Sequence, residues 1–451
     1  MAHLDLKARS PWSELKNIKS LEIKPLGSKT LRKDITIPGS KSFTNRALIL
    51  GAVANGTTQL SGILKSDDSY WCIKTLNELG VKTDIVDESI AIEGCGGKWV
   101  DHLSLYIGAA GTIGRFLPGV LAADPSSESS WNLEASERMS QRPIMPLIEA
   151  INTLGGRIEY KEKEGYFPLE IRGGGLSGGE VSISGKTSSQ FISGLLLASP
   201  LTKQDVKITV IDELVQQEYV KITIDLMEKF GVKISHSKDF KVFEIPRGSY
   251  KGRNLQLEAD VSTACYFFAL AAITKGSIKI TNVNPKTNQP DIMMLEVFER
   301  LGCEITTGKD WIEVKGPEVL TGGFQISMKE MSDQALTLAT IAPFANEPIT
   351  IREVEHIRTH ESDRISAICT ELKKMGIKVD EYKDGLTVYP GEPKSAIVET
   401  YDDHRVAMSL SLIGTRVPGI KVNNPGTVSK TCPTYFSLLE NMGIGITYHR
   451  E

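Results

Sequence analysis

LNELGVKTDIV, residues 76–86, changes its pattern at one residue: an apolar helix end closes at Leu79, Gly80 follows, and an alternating strand begins at Val81. A helix that stops in a left-handed turn favours glycine, which has no Cβ to clash there, and a period of two marks a half-buried strand. The same joint recurs as INTLGGRIEY (151–160), LMEKFGVKIS (226–235), FERLGCEIT (298–306), LKKMGIKVD (372–380) and LENMGIGIT (439–447). Its first glycines are Gly80, Gly155, Gly231, Gly302, Gly376 and Gly443, at steps of 75, 76, 71, 74 and 67 residues. Five near-equal intervals define an internal repeat of six copies.

A second pattern keeps the same period. Ser42, Thr112, Ser188, Ser262, Ser332 and Asp402, spaced 70, 76, 74, 70 and 70 residues apart, each stand at the head of a run of small and apolar residues. Residues of these types cap helix starts by accepting orphan backbone N–H groups, and the near-absence of charge behind them predicts buried helices. Each unit of about 70 residues therefore reads as an α/β module with a buried helix, an outer helix and strands between. Six modules suggest two domains of three. Three roughly parallel buried helices would bring partial positive charge to one face of each domain, and two such faces across a cleft would attract a small anion.

The whole chain of 451 residues has 52 Lys and Arg against 56 Asp and Glu, a formal charge of −4, with 40% hydrophobic and 24% charged residues. This composition is globular, which excludes disorder, collagen and coiled coil as overall descriptions and leaves room for a large core. One of the longest uncharged runs, the 14 residues between Asp260 and Lys275, falls short of the roughly 18 needed to span a bilayer. MAHLDLKARSPWSELK (1–16) carries Asp5 and Glu14 and no apolar segment, so no secretory signal and no membrane partner are expected, and the protein is expected in the cytoplasm. The near-neutral charge balance argues against nucleic acid as a partner. Cys72, Cys95, Cys265, Cys303, Cys369 and Cys432 form no CxxC pair and are expected as reduced, mostly buried thiols.

Basic residues gather where capping does not need them. Lys41 and Arg46 flank Ser42, Arg142 stands in SERMSQRPI (136–144), Arg364 in HESDR (360–364), Arg405 in DDHR (402–405) and Lys430 in TVSKTCP (427–433). Such groups together suit phosphate and carboxylate, Arg offering a bidentate fork. Asp333, at a helix start in MSDQALTLAT (331–340), and Glu361 are the acid–base candidates, while Asp402 and Asp403 read as caps. His356, His360 and His404 are the histidines in these segments. GEVSISGKTSS (179–189) imitates a phosphate-binding loop, but five residues rather than four separate Gly179 from Gly185, and no acidic strand partner accompanies it.

Five collinear motifs, PGSKSFTNRAL (38–48), SSQF (188–191), HESDR, DDHRVAM (402–408) and SKTCP (429–433), resemble those of the enolpyruvyl transferase family over about Leu21 to Gly443. The resemblance implies two similar inside-out α/β domains, each of three repeats with buried parallel helices and outer sheets. They would comprise residues 39–258, and 21–38 with 259–451, after an N-terminal extension of residues 1–20. It also implies transfer of the enolpyruvyl group of phosphoenolpyruvate to the 5-hydroxyl of 3-phosphoshikimate with release of phosphate, by a monomer with no cofactor and no metal. Carried over residue by residue, Lys41, Gly111, Arg142, Gln190, Arg364, Arg405 and Lys430 would hold the donor. Lys41, Ser42, Arg46, Ser188, Ser189, Gln190, Gln216, Tyr219, Asp333, His356 and His360 would contact the acceptor. Asp333 would take the acceptor hydroxyl proton and Glu361 exchange the proton at the donor methylene, with Lys41 contributing.

The chain departs from the family pattern at Gln216, His356 and His360, where Ser, Asn and Lys are usual, and at Ala109 and Phe116, where Asn and Pro are usual. A neutral Gln and a partly charged His are weaker phosphate ligands than Ser with Lys. Two acceptors therefore stay open: 3-phosphoshikimate, or a related carboxylated cyclitol with altered or absent phosphate. Transfer to a UDP-amino sugar is disfavoured, because Ser42 follows Lys41 and ASERMSQRP (135–143) has no Cys. A non-catalytic anion-binding protein on the same fold is the remaining alternative. Retention of Asp333 and Glu361, carboxylates that would repel an anion, speaks against it.

Overall fold

The structure, a computed structural model, describes residues 6–27 and 30–450. The chain divides into two compact units: a terminal unit of Met1–Pro38 with Glu258–Glu451, and an inserted unit of Gly39–Leu257. Among the described residues each contains three four-stranded sheets. These sheets share one design, in which an edge strand runs parallel to the second, the second antiparallel to the third and the third antiparallel to the fourth. Leu103–Tyr106, Ser130–Glu134, Leu169–Arg172 and Arg157–Tyr160 form one such sheet in the inserted unit.

In four sheets the edge strand comes from just before the buried helix of the same module. The other two exchange it. Arg32–Ile35, which precedes the first buried helix, pairs with Ser277–Ile280 in the terminal unit, while Asn254–Gln256, which precedes the fourth, pairs with Asn55–Ser61 in the inserted unit. The terminal unit also takes in the strand Ile18–Ile23, which lies between Ile420–Asn423 and Ile446–Arg450. Of the segment read as an extension, residues 1–5 lie outside the described residues, and Ile18 already pairs with Arg450.

The six repeated glycines have φ of 91°, 95°, 94°, 93°, 81° and 94° in chain order. At each, the glycine N–H reaches the carbonyl three residues back and the next N–H reaches the carbonyl five residues back, as in Gly80 to Asn77 and Val81 to Leu76, both at 3.0 Å. This double bond satisfies the last helical carbonyls, and it needs the positive φ that glycine supplies.

Buried helices follow the second pattern, but their starts differ from the marked residues. The helices Lys41–Val53, Gly111–Ala122, Ser189–Ala198, Val261–Thr274 and His404–Ser411 are preceded by Ser40, Ala110, Ser188, Asp260 and Asp403. Ser188 is thus the one marked residue that caps. Ser332 opens a 3₁₀ turn, Ser332–Gln334, that leads into the helix Ala335–Ile341. Carboxylates win over the hydroxyls nearby because they reach the free N–H groups directly: Asp260 accepts from Thr263 at 2.8 Å and Asp403 from Arg405 at 2.9 Å. Asp402 instead takes a left-handed conformation with φ of 56°.

Among the described residues no helix is long and apolar enough to cross a membrane. The six cysteines are unbridged, and all but Cys95 are buried.

An added Cβ at Gly443 would meet no atom within 4 Å, so Gly443→Ala isolates the backbone strain. It should cost about 1–2 kcal/mol, read as a lowered urea midpoint. Gly80→Ala should cost more, because its Cβ would lie 2.8 Å from Val100 Cγ2.

Candidate active site

In the terminal unit, segments that lead into two buried helices and two outer ones bring three cations and three carboxylates together. Arg364, the first residue of the helix Arg364–Lys374, is almost fully buried. Its Nε donates to Asp403 Oδ2 at 2.8 Å, its Nη1 to Asp333 Oδ1 at 2.9 Å and its Nη2 to Glu361 Oε2 at 2.8 Å. Arg405 Nη2 holds the other oxygen of Asp333 at 2.7 Å, and Lys430 Nζ the other oxygen of Glu361 at 3.2 Å. Asp333 and Glu361 therefore each bridge two cations, with side chains 14% and 12% exposed against 0% for Asp403. Burial alone would lower the Arg364 pKa, but Asp403, Glu361 and Asp333 outweigh it and hold the guanidinium above its ordinary value. Asp403, expected as a cap, is both cap and counter-ion, and it also accepts from Ser362 Oγ at 2.9 Å.

His356 and His360, beside this cluster, are neutral at neutral pH. His356 is pushed down to about 4, chiefly by burial and against the pull of Asp333, and Nε2 meets Ser332 Oγ at 2.8 Å. Burial and then Arg364 push His360 well below the usual histidine value. Its Nδ1 lies 3.0 Å from Arg364 Nη1, so this nitrogen accepts. The partial charge expected at His360 is therefore corrected to none.

Behind Asp333 lies a carboxylate that sequence reasoning missed. Asp291, 1% exposed, accepts from Ser262 Oγ and from Gln334 Nε2, the latter at 2.6 Å. Its Oδ1 is buried with no hydrogen-bond partner among the described residues. Burial, then Asp333, pushes this carboxyl up to about 6, against Arg405 and the two donors. Tyr266, on the helix Val261–Thr274, was missed as well, and its hydroxyl accepts from Arg405 Nη1 at 3.1 Å. A buried tyrosine in an apolar helix is the signal that could have found it, since its hydroxyl needs a partner.

The inserted unit arranges its candidates differently. Lys41 and Ser42 occupy the first turn of Lys41–Val53 and are half-buried. Arg46, one turn on, is 1% exposed. Its Nε donates to Thr223 Oγ1 at 2.7 Å, its Nη1 to the Ser42 carbonyl at 3.0 Å, and its Nη2 to Ser193 Oγ at 3.3 Å and the Tyr219 carbonyl at 3.2 Å. Its guanidinium carbon also lies 5.1 Å from the ring centre of Phe116, so Phe116 is a core residue under that cation. Arg142 stacks against Gly111, where a Cβ would come within 2.7 Å of Nη1. Ser188 caps the helix Ser189–Ala198 by accepting from Gln190 N, while Gln190 Oε1 is buried with no hydrogen-bond partner among the described residues. Gln216, with φ of 52°, precedes the helix Gln217–Lys229 that carries Tyr219.

The family model for EPSP synthase (3-phosphoshikimate 1-carboxyvinyltransferase) matches residues 26–439. A protein of Halalkalibacterium halodurans named 3-phosphoshikimate 1-carboxyvinyltransferase 2 is 54% identical over 450 residues, 99% of this chain and 100% of that one. A 3-phosphoshikimate 1-carboxyvinyltransferase of Trichormus variabilis is 39% identical over 407 residues, 89% and 94% of the two chains. A solved structure of an EPSP synthase from Acinetobacter baumannii matches with a TM-score of 0.81 at 25% identity, over 96% of this chain and 100% of that one. The chain belongs to the EPSP synthase family and is an enzyme of that class. The inside-out α/β fold expected from the sequence is supported by the same likeness.

Two outcomes follow from these geometries. Asp291 is protonated more readily when folded than when unfolded, so its contribution to stability is full below about pH 4 and is lost as pH rises through about 6. Wild type should therefore lose urea resistance relative to Asp291→Asn over that window. Arg46→Lys, which cannot reproduce the planar fork, should cost about 2 kcal/mol or more, read as a fall in the unfolding midpoint.

Proposed function

We propose that this protein transfers the enolpyruvyl group of phosphoenolpyruvate to the 5-hydroxyl of 3-phosphoshikimate and releases phosphate. The observation that carries this reading is the pair of bridging carboxylates, Asp333 between Arg364 and Arg405, and Glu361 between Arg364 and Lys430. A donor with one carboxylate and one phosphate can take over as counter-charge for these three cations. Asp333 can then accept a proton as a carboxylate, and Glu361, entering the step in its protonated form, can lend a proton and take it back, beside a reacting centre that the cations hold.

In this reading the acceptor hydroxyl adds to C2 of the donor, Asp333 takes its proton, and Glu361 delivers a proton to C3. The tetrahedral intermediate then expels phosphate, on which negative charge grows near the cations, and C3 returns its proton to Glu361. Lys41, Gly111, Arg142 and Gln190 are assigned to the same donor, with Lys41 also assisting proton movement. Ser42, Ser188, Ser189, Gln190, Gln216 and Tyr219, with His356 and His360, are assigned to the acceptor. Arg46 serves it through Ser42, whose carbonyl it holds at 3.0 Å.

A second reading differs in the acceptor alone. Because His356 and His360 are both neutral, this side of the site offers little charge to a phosphate, which favours a related acceptor without one. Steady-state phosphate release with 3-phosphoshikimate and with shikimate separates the two. The first reading expects the phosphorylated compound to have the higher kcat/KM.

Asp333→Asn and Glu361→Gln should each lower kcat by roughly 10²–10⁴-fold, measured as phosphate released from phosphoenolpyruvate. Variants within tenfold of wild type would remove these carboxylates from the chemistry. No release by wild type with either acceptor would overturn the proposed reaction.

A further inference from the structure

Outside the reacting cluster of the terminal unit, the N-terminal segment carries an ion pair of its own. Arg9, with a side chain 8% exposed, forms an ion pair with Asp402 through Nη2, and its Nη1 lies 3.5 Å from Ser429 Oγ. Asp402 directly precedes Asp403, which grips Arg364 and caps the helix that carries Arg405. Ser429 directly precedes Lys430. One guanidinium thus ties the turn that supplies two members of the cluster to the turn that supplies a third.

The first of these turns needs holding. Tyr401 and Asp402 are consecutive non-glycine residues with φ of 54° and 56°, a conformation that persists only where surrounding contacts enforce it. On one side the buried Glu371 accepts from the Tyr401 hydroxyl at 2.7 Å and from Glu399 N at 3.2 Å. On the other, Asp402 accepts from Arg9 and from Asn424 Nδ2, the latter at 3.0 Å. The segment around Arg9 is itself seated: Ser10 and Ser13 are 1% and 3% exposed. At Gly426, in the turn Pro425–Lys430, an added Cβ would lie 2.8 Å from the Leu15 carbonyl.

We infer that Arg9 is a positioning residue for the donor half of the reaction, holding the Asp402 and Ser429 turns so that Arg364, Arg405 and Lys430 are preset for a dianionic donor. The inference rests on the assignment of those cations to phosphoenolpyruvate. Without Arg9 the turns loosen and the cations must be ordered at the moment of binding, which weakens donor affinity more than it slows the chemical step.

The test is a cycle of Arg9→Gln, Arg9→Lys, Asp402→Asn and the Arg9→Gln/Asp402→Asn pair. Arg9→Gln should raise KM for phosphoenolpyruvate about tenfold with kcat within about twofold. Arg9→Lys should recover most of the loss, and Arg9→Gln should add little in the Asp402→Asn background. Amide exchange at residues 400–405 and 426–431 should be faster in Arg9→Gln than in wild type, a readout independent of turnover. An unchanged KM, an equal effect in both backgrounds, unchanged exchange, or a lowered Tm with KM intact would overturn the inference. Absence of phosphate release by wild type would instead overturn the proposed reaction, while the exchange comparison still decides whether Arg9 holds the two turns.

Discussion

A buried guanidinium must find several oxygens at once, and that requirement organises each unit. In the inserted unit Arg46 meets it with neutral partners: a hydroxyl from each of two helices and two backbone carbonyls, with Phe116 beneath. Burial pushes its pKa down to about 10, so it stays charged at neutral pH. In the terminal unit Arg405 occupies a comparable place, joining its own helix to Asp333 and to Tyr266. There the partner is a carboxylate, and Arg364 and Lys430 extend the pairing. Neutral partners make a structural pin. Charged partners make an arrangement that a competing anion can enter, because one counter-charge can replace another without unfolding the cluster.

The period was legible because its cause is local. A helix stop with two backward hydrogen bonds requires one residue at positive φ, and six glycines announce it. Helix starts were less legible, since Ser262 and Asp260, or Asp402 and Asp403, offer acceptors two or one residues apart, and reach decides between them. The strand exchange left no local trace: Arg32–Ile35 reads the same whichever unit it pairs with, and its partner Ser277–Ile280 lies far along the chain.

The candidate site divides in the same way. Asp333, Glu361, Arg364, Arg405 and Lys430 could be picked out because they stand at or near helix starts in several modules, most of them in motifs that resemble the family's. Asp291 could not, because PDIMML (290–295) resembles any helix start, and its burial behind Gln334 and Ser262 is a tertiary fact. The same holds for the neutrality of His360, which follows from burial and from Arg364 beside it. Arg9 lies in a stretch with no motif at all; its value comes from where Asp402 and Ser429 are brought.

The placement of Ile18–Ile23 between strands from the last 32 residues of the chain also sets an order of assembly on the ribosome. The inserted unit has all of its strands once Leu257 has emerged, whereas Ile18–Ile23 must wait, without its neighbours, until the C-terminus is synthesised. With 396 residues between Ile23 and Ile420 and 422 between Ile23 and Ile446, that interval is roughly 20–90 s at translation rates of about 5–20 residues per second. During it, Leu21 and Ile23, both fully buried in the finished sheet, have no partner strand to cover them.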